Sequence, residues 1–332
     1  MKQQAAVGKR PVTRLQNVLE FARLQEETAH SMLDLGIVIL NWNTRDLLQR
    51  CLETVYASQG DITYQVVVVD NSSTDGSAAM VHEHFPQATL IARTENDGYS
   101  AGNNVGLRAL GFQGKGNTAK DAPRYALLLN PDTEVPPDVF AHMVAWMDTR
   151  TDVGAAGVKL VLPDGTLDKA CRRAFPTPTV SLYHFSGLGK VFPNSPRFAR
   201  YNMTYLSSDV ETEVDSVVGA YMQVRREALD AVGLLDEVFF MYGEDLDWAF
   251  RIKSAGWKIV YHPQVAVKHV KRAASRQSQK AQFEFWRAML IFYRKHYRAT
   301  TPLWLHSLIM LGLLMKGGRG LWTEMRHPIY TP

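Results

Sequence analysis

Short apolar runs alternate along the chain with stretches of helical periodicity. The runs GIVIL, QVVVVD, TLIA and YALLLN are rich in Val, Ile and Leu. Between the first two, apolar residues recur at the spacing of one helix face: Leu47, Leu48, Cys51, Leu52, Val55 and Tyr56. Strands that are apolar on both faces and separated by helices are typical of a parallel sheet covered on both sides. The pattern predicts an α/β fold with a mainly parallel sheet.

The second half of the chain has a different pattern. The segment KLVLPDGTLDKA places a Pro-Asp-Gly turn between apolar positions, which predicts a hairpin, and VDSVVGAYMQVR predicts a further strand. A helix is expected after GEDLD, and WKIVYHP and VAVKHV predict two final strands. The polar, glycine-rich residues 111–124 are predicted to form a surface loop. We therefore expect a mixed sheet.

Three regions are expected along the chain. The 332 residues suffice for one α/β domain with additions, and we place this domain at about residues 36–272. Residues 1–35 are expected to form a helical extension, because apolar residues recur there at helical spacing: Val12, Leu15, Val18, Leu19 and Ala22. Residues 273–332 are expected to form a basic and apolar helical tail.

Composition excludes several classes of protein. With 46% hydrophobic and 21% charged residues, the chain can bury a large core and is not a disordered protein. Its two cysteines, Cys51 and Cys171, form no CxxC pair, which argues against a disulfide scaffold and a zinc ribbon. The first 34 residues contain no continuous apolar stretch of a secretory signal. We expect a cytoplasmic protein in a reducing compartment.

Positive charge is concentrated near the C-terminus. The formal net charge is +4, yet residues 268–298 contain nine basic residues and one acid, Glu284. The thirteen-residue apolar run over 303–315 is shorter than the roughly 20 residues of a membrane span. Together these features favour a helix in the interface of an anionic membrane, with a buried or dimer-forming helix as the alternative. Nucleic-acid binding is not expected, since no RNA or DNA motif accompanies the charge.

Asn and Asp follow three of the predicted strands. Asn41 follows GIVIL, Asp70 ends QVVVVD, and Asn130 and Asp132 follow YALLL. Each alone is typical of a helix cap or an Asx turn. Because ligands bind beyond the carboxyl ends of parallel strands, the three together indicate a site. Asp70 can accept a hydrogen bond from a base or a ribose hydroxyl, and Asp132 suits Mg²⁺ beside a diphosphate.

Two downstream segments add candidates. The glycine-rich residues 96–106 let backbone amides approach an anionic ligand closely. The acidic segment GEDLDWAFR places Asp245 where either a helix cap or a general base is expected. A general base there would take a proton from an attacking hydroxyl.

A serine hydrolase is an alternative. The segment Gly98-Tyr99-Ser100-Ala101-Gly102 matches the G-x-S-x-G nucleophile elbow, and Asp245 and His269 follow in the order found in hydrolases. An elbow serine stands directly at a strand end, whereas residues 93–97 separate Ser100 from TLIA. The hydrolase conflicts with this rule and stays open as an alternative.

Six motifs in this order resemble one known family. They are LNWN, VVVVDNSSTDGS, NDGYSAGNNVG, LLLNPDTEV, VVGAYMQVRREAL and FFMYGEDLDWAFRIKSAGW. The chain resembles an inverting family 2 glycosyltransferase of the GT-A fold. Its sequence pattern is similar to that of the rhamnosyltransferase-like members that build bacterial surface polysaccharides. The resemblance covers about residues 36–300. It implies a nucleotide-binding half at about 36–135 and an acceptor half at about 136–272.

The resemblance also implies roles for individual residues. Asp245 matches the family's catalytic base, and Glu244 is expected to help orient either the acceptor or the loop. Asp132 and His269 are the expected ligands of Mg²⁺ or Mn²⁺, with a surface histidine as the alternative for His269. Many relatives have Asp where this chain has Asn130. The expected nucleotide-binding residues are Asn41, Trp42, Asp70, Asn71, Gly98, Asn103 and Asn130, and the expected acceptor contacts are Trp248 and Arg251.

The implied partners are two substrates and a membrane. The donor is a nucleotide-diphosphate sugar, with dTDP-rhamnose favoured over a UDP-sugar. The acceptor is a glycan or a lipid-linked glycan, which places the basic tail at the inner face of the cytoplasmic membrane. A nucleotide-sugar-binding scaffold without catalysis is a further alternative, although Asp132 and Asp245 are both present.

Overall fold

The computed structural model describes residues 32–271 and 279–326. The expected N-terminal helix lies almost entirely outside these ranges, as do Arg272 and Arg276 of the basic segment.

A mixed sheet forms the centre of the fold. The strands of the described chain are β1 Leu35–Asn41, β2 Tyr64–Asp70, β3 Thr89–Ala92, β4 Tyr125–Leu129, β5 Thr133–Glu134, β6 Val153–Val161, β7 Thr212–Glu213, β8 Tyr221–Arg225 and β9 Lys258–His269. The sheet order is β3-β2-β1-β4-β8-β6-β9-β5, and β7 pairs with β9. Strands β3, β2, β1 and β4 are parallel, and β8 runs antiparallel to β4 and β6. This confirms the predicted mixed α/β fold.

Helices flank the sheet and form the C-terminal part of the described chain. They are α1 Arg45–Tyr56, α2 Ser77–His84, α3 Tyr99–Ala109, α4 Val139–Asp148, α5 Pro178–Phe185, α6 Leu188–Val191, α7 Arg226–Val232, α8 Glu244–Ser254, α9 Gln279–His296 and α10 Leu303–Arg326. Gly318 kinks α10 with a φ of 67°. Within residues 32–271 and 279–326, every helix is too short or too polar to cross a bilayer.

Glycines bring α3 close to β1, beside the candidate site. A Cβ at Gly106 would lie 2.4 Å from a methyl group of Val38, and one at Gly102 would lie 2.4 Å from a methyl group of Leu40. Contacts that short are forbidden, so the helix packs at this distance because these positions have no side chain. The close packing fixes the N-terminus of α3 over the carboxyl end of β1.

The second half departs from the sequence predictions in three places. The Pro-Asp-Gly turn forms, but the expected hairpin is a single bridge between Val161 and Leu167. The two expected final strands are one strand, β9, whose register against β6 shifts between His262 and Ala266. Pro263 lies inside this shift, and a proline without an amide hydrogen is tolerated at such a bulge. The helix expected after GEDLD begins inside that segment, at Glu244.

An ion-paired carboxylate fixes α9 to α8. Asp247 is fully buried and lies 2.7 Å from the ammonium of Lys295 and 2.8 Å from Nε2 of His296. Burial alone would raise the pKa of Asp247, but the contacts with His296, Arg251 and Lys295 lower it to about 2. An apolar cluster that includes Phe292 and Leu313 continues from α9 to α10. The expected helical tail therefore packs on the α/β domain.

Candidate active site

The predicted strand ends meet at one edge of the sheet. Asn41 and Asp70 are direct partners in the register of β1 and β2, and the Asn41 amide donates to Asp70 Oδ1 over 2.9 Å. Asn130 follows β4, which pairs with β1 on its other side. Strand topology alone explains why three segments distant in sequence come together here.

A hydrogen-bond network holds the expected nucleotide-binding residues. Asp70 accepts a bond from the Ser73 amide, and the Asn71 side chain donates to Asn96 and to the Gly98 carbonyl. The Asn103 side chain donates to the carbonyl of Tyr99. Asn41, Asp70, Asn71 and Asn103 are buried, whereas Trp42 is 56% exposed. The network fixes these buried side chains relative to one another, and the Trp42 indole is exposed beside them.

Gly98 allows the hydrogen-bonded network to contact the segment before α8. Its φ is 95°, and a Cβ there would lie 2.4 Å from the Phe240 carbonyl oxygen. The next amide, of Tyr99, donates to that carbonyl over 2.6 Å. The Tyr99 hydroxyl donates to Asn130 Oδ1 over 3.1 Å. Residues of the two chain halves are thereby joined at the site.

One cavity of about 560 Å³ brings together the acids expected to act. Asp132 and His269 line it together with Glu244 and Asp245. Its other polar and charged lining residues are Tyr99, Asn130, Asp168, Arg173, Tyr201, Tyr242, Lys271 and Gln282, and α9 contributes Ala281, Phe285, Trp286 and Met289. Asp132 and Asp245 are thus in the same cleft, with an aromatic wall beside them.

A chain of hydrogen bonds orients the candidate metal ligands. His269 Nε2 lies 3.4 Å from Asp132 Oδ1, and His269 Nδ1 lies 2.9 Å from Asp168 Oδ2. Burial alone would lower the pKa of His269, but its contacts with Asp132 and Asp168 outweigh burial and raise it. With Nδ1 anchored on Asp168, Nε2 faces Asp132. The surface-histidine alternative for His269 is wrong, since its side chain is 6% exposed.

Asp168 is a site residue that the sequence analysis missed. Its side chain is 4% exposed and accepts both the His269 bond and an ion pair from Lys271 at 2.7 Å. Burial would raise the pKa of Asp168, but the bonds from His269 and Lys271 lower it strongly. Asp168 follows the Pro-Asp-Gly turn, where a carboxylate looks like an ordinary turn residue, so no sequence signal marked it.

Arg173 holds Asp245 in place. Its Nη2 lies 2.7 Å from Asp245 Oδ2, and the Gly219 amide donates to the same oxygen over 3.2 Å. The other oxygen, Oδ1, accepts a bond from the Leu246 amide. Arg173 also donates to the carbonyl of Val217, so the guanidinium is itself fixed. The sequence analysis did not find Arg173.

Glu244 has a buried carboxyl oxygen, Oε2, without a hydrogen-bond partner in the described chain. Tyr242 and Gly243 both have positive φ, and this turn places Glu244 and Asp245 side by side in the first turn of α8. Burial and, secondarily, the charge of Asp245 raise the pKa of Glu244 to about 8. A protonated carboxyl and a second carboxyl therefore stand together at neutral pH, a pairing typical of acid–base sites.

The raised pKa of Glu244 makes stability depend on pH. Because the folded state holds this proton more tightly than the unfolded state does, the contribution is present below pH 4.5 and is lost as pH rises through about 8. Glu244→Gln cannot ionise, so between pH 7 and 9.5 it should lose less thermal stability than the wild type, by about 2–4 °C.

Thermal denaturation across this pH range measures the difference. Glu227→Gln is the matched control, because Glu227 is an exposed residue in the first turn of α7. Parallel curves for the wild type, the control and Glu244→Gln would contradict the assignment.

The geometry does not support the serine hydrolase. The Ser100 hydroxyl is fully buried and donates to the Phe239 carbonyl over 2.7 Å. Asp245 pairs with Arg173, and His269 contacts Asp132 and Asp168. Among these described contacts, none joins the serine, the acid and the histidine to one another, so the arrangement that activates a serine nucleophile is not formed.

Trp248 and Arg251 lie away from the cavity. Trp248 is fully buried, and its indole donates to the Gly233 carbonyl over 2.8 Å. Arg251 pairs with Asp247 and donates to the carbonyl of Val232. Both lie on α8 and attach it to the loop after α7. Their placement differs from the expected acceptor contact, because Trp248 and Arg251 lie about one and two turns further along α8 than Glu244, and only the first turn of the helix lines the cavity.

Comparison with known proteins gives a consistent family. The family model described as glycosyltransferase-like family 2 matches residues 34–284. The N-acetylglucosaminyl-diphospho-decaprenol L-rhamnosyltransferase of Mycobacterium tuberculosis (strain ATCC 25618 / H37Rv) is 28% identical over 238 residues, 71% of this chain and 76% of the relative. The rhamnosyltransferase WbbL of Escherichia coli (strain K12) is 24% identical over 228 residues, 68% of this chain and 80% of WbbL.

Two solved structures share the fold. GalNAc-T7, crystallised with UDP, GalNAc and Mn²⁺, matches with a TM-score of 0.55 at 16% identity. The match covers 82% of this chain and 52% of the GalNAc-T7 chain. The mannosyltransferase PcManGT from Pyrobaculum calidifontis, in complex with GDP-Man and Mn²⁺, has a TM-score of 0.53 at 18% identity, with coverages of 95% and 84%. At these identities the likeness shows the GT-A fold.

Proposed function

The chain belongs to the family 2 glycosyltransferases, and from this premise we propose that it transfers a sugar, with inversion, from a nucleoside-diphosphate donor to a hydroxyl group. Rhamnose is the favoured sugar, and a glycan or lipid-linked glycan of a cell-surface polysaccharide is the acceptor. Two relatives named as rhamnosyltransferases support this choice, one of them acting on a diphospho-decaprenol. We favour dTDP-rhamnose as the donor, with a UDP-sugar as the second candidate.

The observation that carries the proposal is the shared cavity. Asp132, His269, Glu244 and Asp245 all line it. In this proposal Asp132 and His269 face the donor, and Glu244 and Asp245 face the acceptor. In this assignment residues 36–135 bind the nucleotide and residues 136–272 shape the acceptor site. The nucleotide contacts are those that the family resemblance implies: Asn41, Trp42, Asp70, Asn71, Gly98, Asn103 and Asn130.

The donor set fits a divalent metal, Mg²⁺ or Mn²⁺. Asp132 offers a carboxylate oxygen, and His269 offers Nε2 with its other nitrogen anchored on Asp168. In the described ranges no group of three or more His, Cys, Asp or Glu side chains surrounds a metal-sized position. Such a sparse set suits an ion whose remaining ligands are substrate phosphates and water. When bound, the ion would neutralise charge on the leaving diphosphate.

Asp245 is the proposed general base. Arg173 and two backbone amides fix its carboxylate, so little rotational freedom is lost when an acceptor hydroxyl arrives. The protonated Glu244 beside it has an oxygen without a partner, which gives the acceptor a hydrogen-bond partner. As the hydroxyl attacks the anomeric carbon, its proton passes to Asp245 and the diphosphate leaves from the opposite face, which inverts the configuration.

A panel of nucleotide sugars tests the proposal. We expect dTDP-rhamnose, with Mn²⁺, to raise the melting temperature more than the other sugars do, because ligands that bind the folded state stabilise it. Release of the nucleoside diphosphate should then depend on a glycan acceptor. Binding without any turnover, across donors and acceptors, would favour the scaffold alternative instead.

We further propose that α10 rests on an anionic membrane. Its inner face packs on α9 through Leu313 and Leu321, while its outer face exposes apolar side chains: Leu303, Trp304, Leu308, Leu311 and Met315. Lys316 and Arg319 follow on the exposed surface. An exposed apolar face next to cations is the pattern of an interfacial helix. The buried alternative for this run does not fit the outer face.

Vesicle sedimentation measures this contact. Leu308→Gln combined with Leu311→Gln should lower binding to phosphatidylglycerol vesicles at low salt by about tenfold or more, because two leucines that become buried in the membrane contribute several kcal/mol to binding. Val210→Gln, which alters an apolar side chain 57% exposed elsewhere, should bind as the wild type does. Absence of vesicle binding by the wild type at low salt would refute the membrane contact.

A further inference from the structure

Two further cavities adjoin the candidate active site in series, each sharing lining residues with the one before it. The cavity that holds Asp245 shares Asp168, Ala170, Tyr201 and Lys271 with a second cavity of about 800 Å³. The second shares a larger set of lining residues with a third cavity of about 260 Å³: Lys169, His184, Tyr201, Asn202 and Thr204. The second volume is within the range of small-molecule sites.

The second and third cavities are positively charged. Lys169 and Lys190 line them, and neither forms an ion pair with another described residue. Arg172 is 2% exposed, and its terminal nitrogens donate to the carbonyls of Ser207 and Leu206 rather than to a carboxylate. The positive charges of Lys169, Lys190 and Arg172 are therefore not neutralised within the second and third cavities.

The acid on these walls does not offset the positive charge. Asp168 is the one carboxylate among the residues that line the two cavities, and Lys271 and His269 already bind it. His184 adds no charge of its own, since burial and the charge of Lys190 lower its pKa. Tyr201, Asn202 and Thr204 add hydrogen-bonding groups. The chemistry fits an anion that carries hydroxyl-bearing groups.

Exposed apolar side chains lie on the two helices that line the third cavity. The helices α5 and α6 contribute His184 and Lys190 to that cavity, and they and the residue after α6 also expose large apolar side chains: Leu182 is 62% exposed, Phe185 42%, Val191 68% and Phe192 48%. Phe185 contacts Trp286 of the active-site wall, with ring centroids 5.1 Å apart. The positively charged cavities thus adjoin both the carboxylates of the active-site cavity and an exposed apolar surface.

This combination of adjoining acidic, cationic and apolar surfaces matches one class of molecule. We propose that the three cavities form the acceptor site for a sugar carried on a lipid diphosphate, with the sugar beside Asp245, the diphosphate beside Lys169 and Lys190, and the lipid chain over Leu182, Val191 and Phe192. The assignment rests on the proposed glycosyltransferase function, which supplies a base for the sugar hydroxyl. It deepens that function by placing the carrier.

Binding of farnesyl diphosphate tests the site without any donor sugar. Titration calorimetry is done in 2 mM EDTA, which removes metal-dependent binding at Asp132. The doubly substituted Lys169→Gln/Lys190→Gln protein should bind farnesyl diphosphate about tenfold more weakly than the wild type and should lose most of the salt dependence. The matched control is Lys115→Gln/Lys120→Gln, which removes two exposed lysines from the loop over residues 111–124.

Each outcome decides the proposal. Equal binding by the wild type and Lys169→Gln/Lys190→Gln, equal weakening in the control, or no binding by the wild type would overturn the acceptor site. A second measurement uses N-acetylglucosaminyl-diphospho-farnesol as acceptor: its KM should rise about tenfold in Lys169→Gln/Lys190→Gln, with the donor KM unchanged. If farnesyl diphosphate binding depends on the two lysines but no nucleotide sugar is turned over, the proposed transfer fails while the lipid-diphosphate site stands.

Discussion

Asp245→Asn is expected to lower kcat for sugar transfer by about 10²–10⁴-fold, the range typical of a lost general base. Asparagine keeps the shape of the side chain and can still accept the hydrogen bond from the Gly219 amide, but it cannot take the acceptor's proton. Donor binding, measured as the rise in melting temperature with nucleotide sugar and Mn²⁺, should persist. Near-normal transfer by this variant would show that another group is the base.

Stability must be controlled in this experiment. The substitution leaves the buried Arg173 without its counterion, and an unpaired buried charge destabilises a fold by several kcal/mol. Rates are therefore compared well below the melting temperature of each protein. Ser100→Ala is the companion variant, because it removes the hydroxyl that a hydrolase would need. The Ser100 hydroxyl donates to the carbonyl of Phe239 and does not contact Glu244 or Asp245. We expect its transfer rate to stay within about threefold of the wild type.

Asp132→Asn is expected to lower transfer by at least about 10²-fold, because it replaces the carboxylate proposed to hold the metal with a neutral amide. The Mn²⁺-dependent part of the thermal shift should disappear as well. Raising the Mn²⁺ concentration should restore part of the rate if the amide oxygen still coordinates weakly.

Asp138→Asn is the matched control for this substitution. Asp138 is an exposed carboxylate that precedes α4, makes no capping hydrogen bond and does not line the cavity. Its variant should keep both the rate and the metal response. An Asp132→Asn protein with an unchanged Mn²⁺ response would place the metal elsewhere.

Hydrophobic patterning predicted the first half of the fold because each strand there is a separate apolar run. Strands β1, β2 and β4 and helix α1 lie where the pattern placed them, since continuous burial leaves a clear signal. The second half was predicted less well. Its sheet contains a bulged strand, β9, and a single bridge in place of a hairpin, and such irregular pairing depends on tertiary contacts that periodicity does not record.

The site shows the same division. The sequence could mark Asn41, Asp70 and Asp132 as candidates because they stand at or just after the ends of strands, and topology brings strand ends together. Asp168 and Arg173 could not be predicted, since each contacts a partner that is distant in the chain. Asp168 binds His269, 101 positions away, and Arg173 binds Asp245, 72 positions away. Trp248 was expected to contact the acceptor because it lies in a motif of the family. The structure instead buries its side chain fully in the core, away from the cavity.

The central claim is that Asp132 and His269 hold a divalent ion in the cavity that Asp245 also lines. Anomalous diffraction from crystals grown with Mn²⁺ and a nucleoside diphosphate measures this directly. The account predicts one manganese peak at coordination distance from an Asp132 oxygen and His269 Nε2. Ordered nucleotide with manganese bound at a position remote from these two side chains would contradict it.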